Sequence, residues 1–457
     1  MKRLILIFVT LTLANCSFDN KTGIWKDASD IPFEKSTSNS INKKDVNSRY
    51  ENVFADSQIF NEEKELDRNF NFKIEKESRN INWPQEFASN SNNISNIEYD
   101  NNKILVSKSS KLSRNLKGEN DIKKNTILYK DKIISYDHKG RVFVYSLENR
   151  KKILEYNFYK KTFKNYNKKI FLVVNDDIVY AADNLGYTYA VNINSGSLIW
   201  AKNYGIPFRS NIKYFDGQIF LANQDNVLYS INTINGEKNW QLSTSLTFLK
   251  SEFTNNLALD ELNNNVVFLN TSGELYSVNY VSQRINWVIN FKNLSSTNEA
   301  NLFLSQPIVI KDENIFVSTD KSLLSYNVIT GSRNWNKSVA PILKPVVTQN
   351  NIFTFTKNNL LICLDKKSGN ILWSKNIYYI EKKPKKIKKM GKIFNLTIAN
   401  GKINLFSNNG YLLSFNFRDG NLEYFERISK NGISAEPIFS KKNMFLVDKK
   451  NRLLKFN

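Results

Sequence analysis

Histidine and cysteine are almost missing from this chain of 457 residues, which has one histidine, His138, and two cysteines, Cys16 and Cys363. That scarcity excludes a Cys/His metal cluster and a disulfide framework. A single histidine also leaves no Ser/His/Asp triad to assemble. Glycine and proline are sparse too, with 16 and 8 copies, so neither a collagen-like nor a wholly disordered chain is in play. No glycine-rich loop of the kind that cradles phosphates occurs. The N-terminal apolar run, residues 4–13, is too short to cross a bilayer as a helix. Acidic residues are outnumbered, 43 against 65 basic ones, for a formal charge of +22.

The N-terminus reads as a targeting segment. Lys2 and Arg3 precede the apolar run, which stops at Leu13-Ala14-Asn15-Cys16. This resembles the lipobox of bacterial lipoproteins, with residues 1–15 as signal peptide and Cys16 as the lipidated residue that becomes the new N-terminus. Ser17 after it favours sorting to the outer membrane. Acyl chains on Cys16 would hold the protein to a leaflet and leave Cys363 without a disulfide partner. Cys363 lies in the apolar run Leu360-Leu361-Ile362-Cys363-Leu364 and reads as a small buried hydrophobe. An exported chain never meets DNA, so the positive charge points to an acidic protein partner or anionic head groups. Its densest cluster, residues 381–389, reads as a solvated loop, with contact to an acidic surface as the alternative.

Residues 16–77 are polar and lack sustained alternation, which predicts a largely disordered tether with at most a short helix from Glu62 to Arg68. Residues 78–457 are organised as a repeat. Tyr187-Thr188-Tyr189-Ala190-Val191-Asn192 leads to Gly196 and Trp200, and Val227-Leu228-Tyr229-Ser230-Ile231-Asn232 leads to Gly236 and Trp240. The pattern returns with Gly331 and Trp335, Gly369 and Trp373, and Gly420 and Tyr424. Two copies lack the glycine: Gln283 precedes Trp287, and Lys152 precedes Tyr156. The aromatic positions 156, 200, 240, 287, 335, 373 and 424 are 44, 40, 47, 48, 38 and 51 residues apart. A period of that size suits one four-stranded propeller blade per repeat.

Each period holds short β-branched or aromatic runs bounded by Asn, Asp or Gly turns. The glycine suits a tight turn between third and fourth strands, and the aromatic is expected to fill the gap between blades. The chain ends on Arg452-Leu453-Leu454-Lys455-Phe456-Asn457, which matches a third strand and then stops. The missing fourth strand is expected from Ser78-Arg79-Asn80-Ile81-Asn82-Trp83, which echoes Gly331-Ser332-Arg333-Asn334-Trp335. Trp83 would then be an eighth anchor. The predicted fold is all-β: an eight-bladed propeller of four-stranded antiparallel blades, its ring closed by an N-terminal strand, which removes exposed edges.

An apolar strand, an Asn or Asp, a turn and Gly-x-x-x-Trp resemble the PQQ-like repeat, over roughly residues 78–457. Two functional groups share that repeat. Quinoprotein dehydrogenases bind pyrroloquinoline quinone and Ca²⁺ in the central channel. The other group is the BamB family of outer-membrane assembly lipoproteins, and the lipobox, tether, single domain and N-terminal closure resemble that family. The resemblance to it implies a non-enzymatic scaffold at the periplasmic face of the outer membrane, without cofactor, binding BamA-like POTRA domains alongside other assembly lipoproteins. The dehydrogenases resemble one another in a catalytic Asp, a calcium site and often a Cys-Cys pair, which this chain lacks. Asp183, Asp225, Asp320 and Asp365 lie near strand ends at the same repeat position and read as turn-forming residues. His138, in Asp137-His138-Lys139-Gly140, reads as a turn residue as well. A lipid-anchored propeller binding another envelope protein or a glycan is the alternative, since fold alone does not set function. For partner contact, repeat position and the resemblance select Leu302, Leu304, Phe208 and Arg209, with apolar residues at 302 and 304 where the family carries two acids.

Overall fold

The computed structural model describes the backbone of residues 16–18 and 25–27, and residues 58–457 apart from 68–71, 74, 114–125, 160–162, 164, 247–253, 292–302 and 380–383. Cys16–Phe18 and Trp25–Asp27 pair as a short antiparallel hairpin in an N-terminal unit, residues 1–57. The second unit, residues 58–457, contains eight four-stranded antiparallel sheets.

Seven sheets are built from consecutive strands, as in blade 3: Lys213–Phe215, Gln218–Ala222, Val227–Asn232 and Lys238–Ser243. First strands of neighbouring blades adjoin one another around the centre. Second and third strands are buried almost throughout, as Ile219, Phe220, Leu221 and Leu228 illustrate. Fourth strands alternate between buried and exposed residues, as expected of an outer edge. The chain is therefore an eight-bladed propeller.

The eighth sheet closes the ring, because its outer strand, Leu105–Lys111, pairs with Arg452–Phe456 from the chain's other end. The closing strand is thus N-terminal, as expected, but it is not the segment around Trp83. Trp83 instead bridges Leu128 in the first strand of blade 1. Its indole is buried among Ile97, Tyr145 and Phe445, between the first and last blades.

From Trp83 the chain makes one circuit of the ring as a strap with no regular structure of its own. Trp83 N–H donates to Leu128 O of blade 1 at 2.6 Å, and Pro84 O accepts from Val174 N–H of blade 2 at 2.9 Å. Asn90 Nδ2 reaches Tyr214 O of blade 3 at 3.0 Å, and Asn90 O accepts from Leu259 N–H of blade 4 at 2.9 Å. Ser91 O accepts from Ile310 N–H of blade 5 at 2.9 Å, and Asn93 exchanges two bonds with the Val347 backbone of blade 6. Ile97 N–H donates to Ile398 O of blade 7, and Asp100 N–H to Lys442 O of blade 8. Buried first-strand carbonyls need donors, and the Asn amides of the strap supply several of them.

The repeat glycines have two functions. Gly236 has φ +72°, and a Cβ there would lie 2.4 Å from the Trp200 ring of the preceding blade. Gly331, Gly369 and Gly420 meet Trp287, Trp335 and Trp373 in the same way. The indole Nε1 of Trp200, Trp287 and Trp335 donates to the carbonyl of Thr233, Val328 and Lys366 in the following blade's turn. Each Gly and Trp pair thus joins two blades rather than finishing one. In blade 1 the anchor position belongs to Leu154, not Tyr156. Leu154 sits opposite Val144 just before the bulge, and its Cδ1 is 2.7 Å from where a Gly196 Cβ would be. Its turn residue is Arg150, at φ +52°. A count of four residues back from Tyr156 therefore selected Lys152 two positions too late.

Candidate functional site

The stretches leading into the first strands of blades 3, 4 and 5 are tied together around one mouth of the channel. Arg209 N–H donates to Ala222 O at 2.9 Å, and Arg209 O accepts from Asn255 N–H at 2.7 Å. Asn256 Nδ2 then reaches Ser305 Oγ at 2.7 Å. These bonds fix the rim of a cavity of about 460 Å³ whose wall includes Asn211, Asn256, Leu304, Ile342, Asp320 and Lys357. Glu86 and Phe87 of the strap line the same cavity.

Below the mouth the channel holds charge. Lys213 is fully buried in blade 3, and its Nζ donates to Ser89 O of the strap at 2.8 Å. Burial pushes its ammonium down to about 7, opposed by the nearby Glu86 carboxylate. Burial likewise pushes Lys344 down to about 8, with Glu436 and Glu86 opposing the shift. Desolvation outweighs pairing in both cases, because the ammonium loses more hydration than the nearby carboxylates return.

Of the four residues selected for partner contact, the structure brings two to this mouth. Leu304 lines the cavity with 44% of its surface exposed. Arg209 is half-buried in the adjoining strand start. Phe208 is corrected: it is completely buried, edge-on to Tyr204 at 5.7 Å and Tyr229 at 6.0 Å, and so is a core residue. Leu302 lies outside the described residues, as do the side chain of Cys16 and residues 1–15.

The turn assignments are refined. Asp183 Oδ1 accepts from Leu185 and Tyr187 N–H at 2.8 Å, and Asp365 from Ser368 N–H at 2.7 Å. At the other two turns the acceptor is an earlier residue, Asn223 two before Asp225 and Thr319 one before Asp320. The four aspartates do not share one repeat position: Asp183 ends a second strand and Asp365 a third. His138 sits in the corresponding turn of blade 1, whose acceptor is Asp137. The basic cluster contains a short helix, Pro384–Met390, pinned by the completely buried Met390 and by an ion pair from Lys386 to Glu426.

Among the described residues no three His, Cys, Asp or Glu side chains converge to hold a metal ion. No described helix is long and apolar enough to cross a membrane. What sequence reasoning missed is the strap. Its Asn90, Asn92, Asn93 and Asn96, four asparagines in seven residues, were the local signal for it.

The fold and the Gly–Trp interlock define a propeller of the PQQ-like repeat class. Residues 161–375 match the family described as outer membrane protein assembly factor BamB. The Yersinia pestis protein of that name is 23% identical over 226 residues, which cover 44% of this chain and 54%, about half, of that relative's length. The crystal structure of BamB from Moraxella catarrhalis superposes with a TM-score of 0.60 at 12% identity, covering 78% of this chain and 99% of that one. Quinohemoprotein alcohol dehydrogenase from Comamonas testosteroni reaches the same TM-score, 0.60, at 10% identity, covering 83% and 81%. Those two likenesses concern the fold alone. Within the class, it is the sequence matches, over residues 161–375 and to the Yersinia pestis protein, that make this chain similar to the BamB family.

Proposed function

We propose that this chain is a non-enzymatic lipoprotein scaffold of the outer-membrane β-barrel assembly complex, which binds BamA-like POTRA domains and assists barrel insertion. The observation that carries the reading is the match of residues 161–375 to the BamB family on a propeller with no convergent metal donors among its described residues. Cys16, at the lipobox, would anchor it to the periplasmic face of the outer membrane. The channel mouth, with Leu304 and Arg209 on its rim, is the contact surface, and Leu302 is a further contact. A rigid ring with its edges closed suits a part that holds others in orientation.

The test is a pull-down of the tagged mature protein from detergent-solubilised envelopes, with identification of what co-elutes. Recovery of a BamA-like protein, reduced several-fold by Leu304→Glu at unchanged thermal stability, supports the scaffold. Absence of any assembly protein from the eluate sinks it and favours a propeller serving another envelope partner. Quinone-dependent alcohol oxidation by the purified protein would overturn the non-enzymatic reading.

A further inference from the structure

Blade 6 carries an added segment at its outer edge. The residue after the fourth-strand anchor is exposed in four blades, at Glu155, Gln241, Val288 and Asn336, whereas Ala201 of blade 2 is half-buried and Phe425 of blade 7 is buried. In blade 6 the corresponding Ser374 is completely buried, because an extended segment from the N-terminal side lies along it. Lys64 and Ser374 exchange backbone bonds of 3.1 and 2.9 Å in antiparallel register. Ser374 Oγ donates to Glu62 O, and Asn376 N–H donates to Glu63 Oε1 at 2.7 Å. Glu65 pairs with Lys375. Phe60, held by a 2.8 Å bond from its N–H to Ser338 O, packs against the cluster between blades 5 and 6, and Leu66 against that between blades 6 and 7. The expected helix from Glu62 is therefore an added strand over its described residues, and Arg68 lies outside them.

We propose that the outer edge of blade 6 is a strand-acceptor groove. Residues 59–66 are its displaceable occupant in cis, holding the place of an extended partner segment with an apolar residue near each end and carboxylates between. Three features support this. The edge is receptive because its residue 374 is a serine, whose small side chain lets a further backbone approach. It is selective because Phe60 and Leu66 fill gaps on either side of the blade while the carboxylates face Lys375 and a backbone N–H. The occupant's backbone pairing with blade 6 is a single pair of bonds; the rest of its hold is side-chain bonds and the packing of Phe60 and Leu66, and Glu65 is 80% exposed. Such short added strands open locally at low cost, and strand addition is a recurrent mode of peptide recognition.

The probe is a fluorescent peptide with the sequence of residues 57–67. It is titrated into the full chain and into a Phe60→Ser, Leu66→Ser variant whose own segment is weakened. The variant should bind the peptide, and the full chain should bind it about tenfold or more weakly, the ratio reporting how often the cis segment is released. A peptide with lysine at positions 62, 63 and 65 should bind neither. In the full chain, excess peptide should change the amide hydrogen exchange of Ser374, which needs no variant. No binding to a folded variant, or no effect on Ser374 exchange at saturating peptide, would mean that residues 59–66 are a fixed brace and would overturn the proposal.

Discussion

At the scale of single residues, the glycine before each anchor matters more for its missing Cβ than for its turn. Gly236 and Gly217 are both at positive φ, +72° and +68°, yet a Cβ on Gly217 meets nothing closer than 4.0 Å while one on Gly236 enters the Trp200 ring. Alanine at 217 should therefore cost about 1 kcal/mol, from backbone strain alone. Alanine at 236 should cost about 2–4 kcal/mol, because overpacking adds to the strain. Denaturant titration of the two variants separates the contributions, and equal losses would show that the indole yields freely. Lys213 supplies a second test. Its ammonium is held well below its unfolded value of 10.5, so the unfolded chain binds a proton that the folded chain refuses between about 7 and 10. Its contribution to stability must then rise with pH across that window. Lys213→Met should reduce the rise between pH 7 and 9, measured as melting temperature against the parent. A variant whose profile parallels the parent's would show that Lys213 does not titrate there.

At the scale of elements, the strap and the closing strand divide between them what the sequence assigned to one segment. The likeness of Ser78–Trp83 to a fourth strand is real at residue level, but pairing with blade 8 goes to Leu105–Lys111. Strand pairing is decided by which segment can reach the edge while the rest of the chain stays buried, and that is not a local property. Within the strap, Asn92 Nδ2 donates to Leu257 O at 2.7 Å and to Ile308 O at 2.8 Å, joining blades 4 and 5. Asn92→Ala should leave two buried carbonyls short of a donor and cost about 2–4 kcal/mol. It should also speed amide exchange at the first strands of those two blades before the others. Uniform acceleration around the ring would show instead that the blades open as one unit. The repeat, the strand types and the turn acceptor at Asp183 were all legible, since each rests on neighbours within about a dozen residues. The channel mouth was legible only in part: Leu304 was found by its place in the repeat, whereas Phe208 occupies an equally loop-like position and is buried by Tyr204 and Tyr229.

At the scale of the whole molecule, a formal charge of +22 acts through its field rather than through the fold. If the partner surface is acidic, association should slow several-fold between 50 and 300 mM salt, while dissociation changes little. Stopped-flow mixing with the isolated partner checks this, and a salt-independent rate would assign recognition to apolar contacts such as Leu304. The sequence by itself determined the class of the molecule, because a repeated strand, turn, glycine and aromatic is a local pattern that stacks in few ways. It also placed the charge and the candidate anchor at Cys16. Only the tertiary structure decided which segment closes the ring, that an asparagine-rich stretch touches all eight blades, and that residues 59–66 cover one outer edge. Those features depend on contacts between residues up to about 350 positions apart, as between Leu105 and Phe456, which only the closed ring brings together.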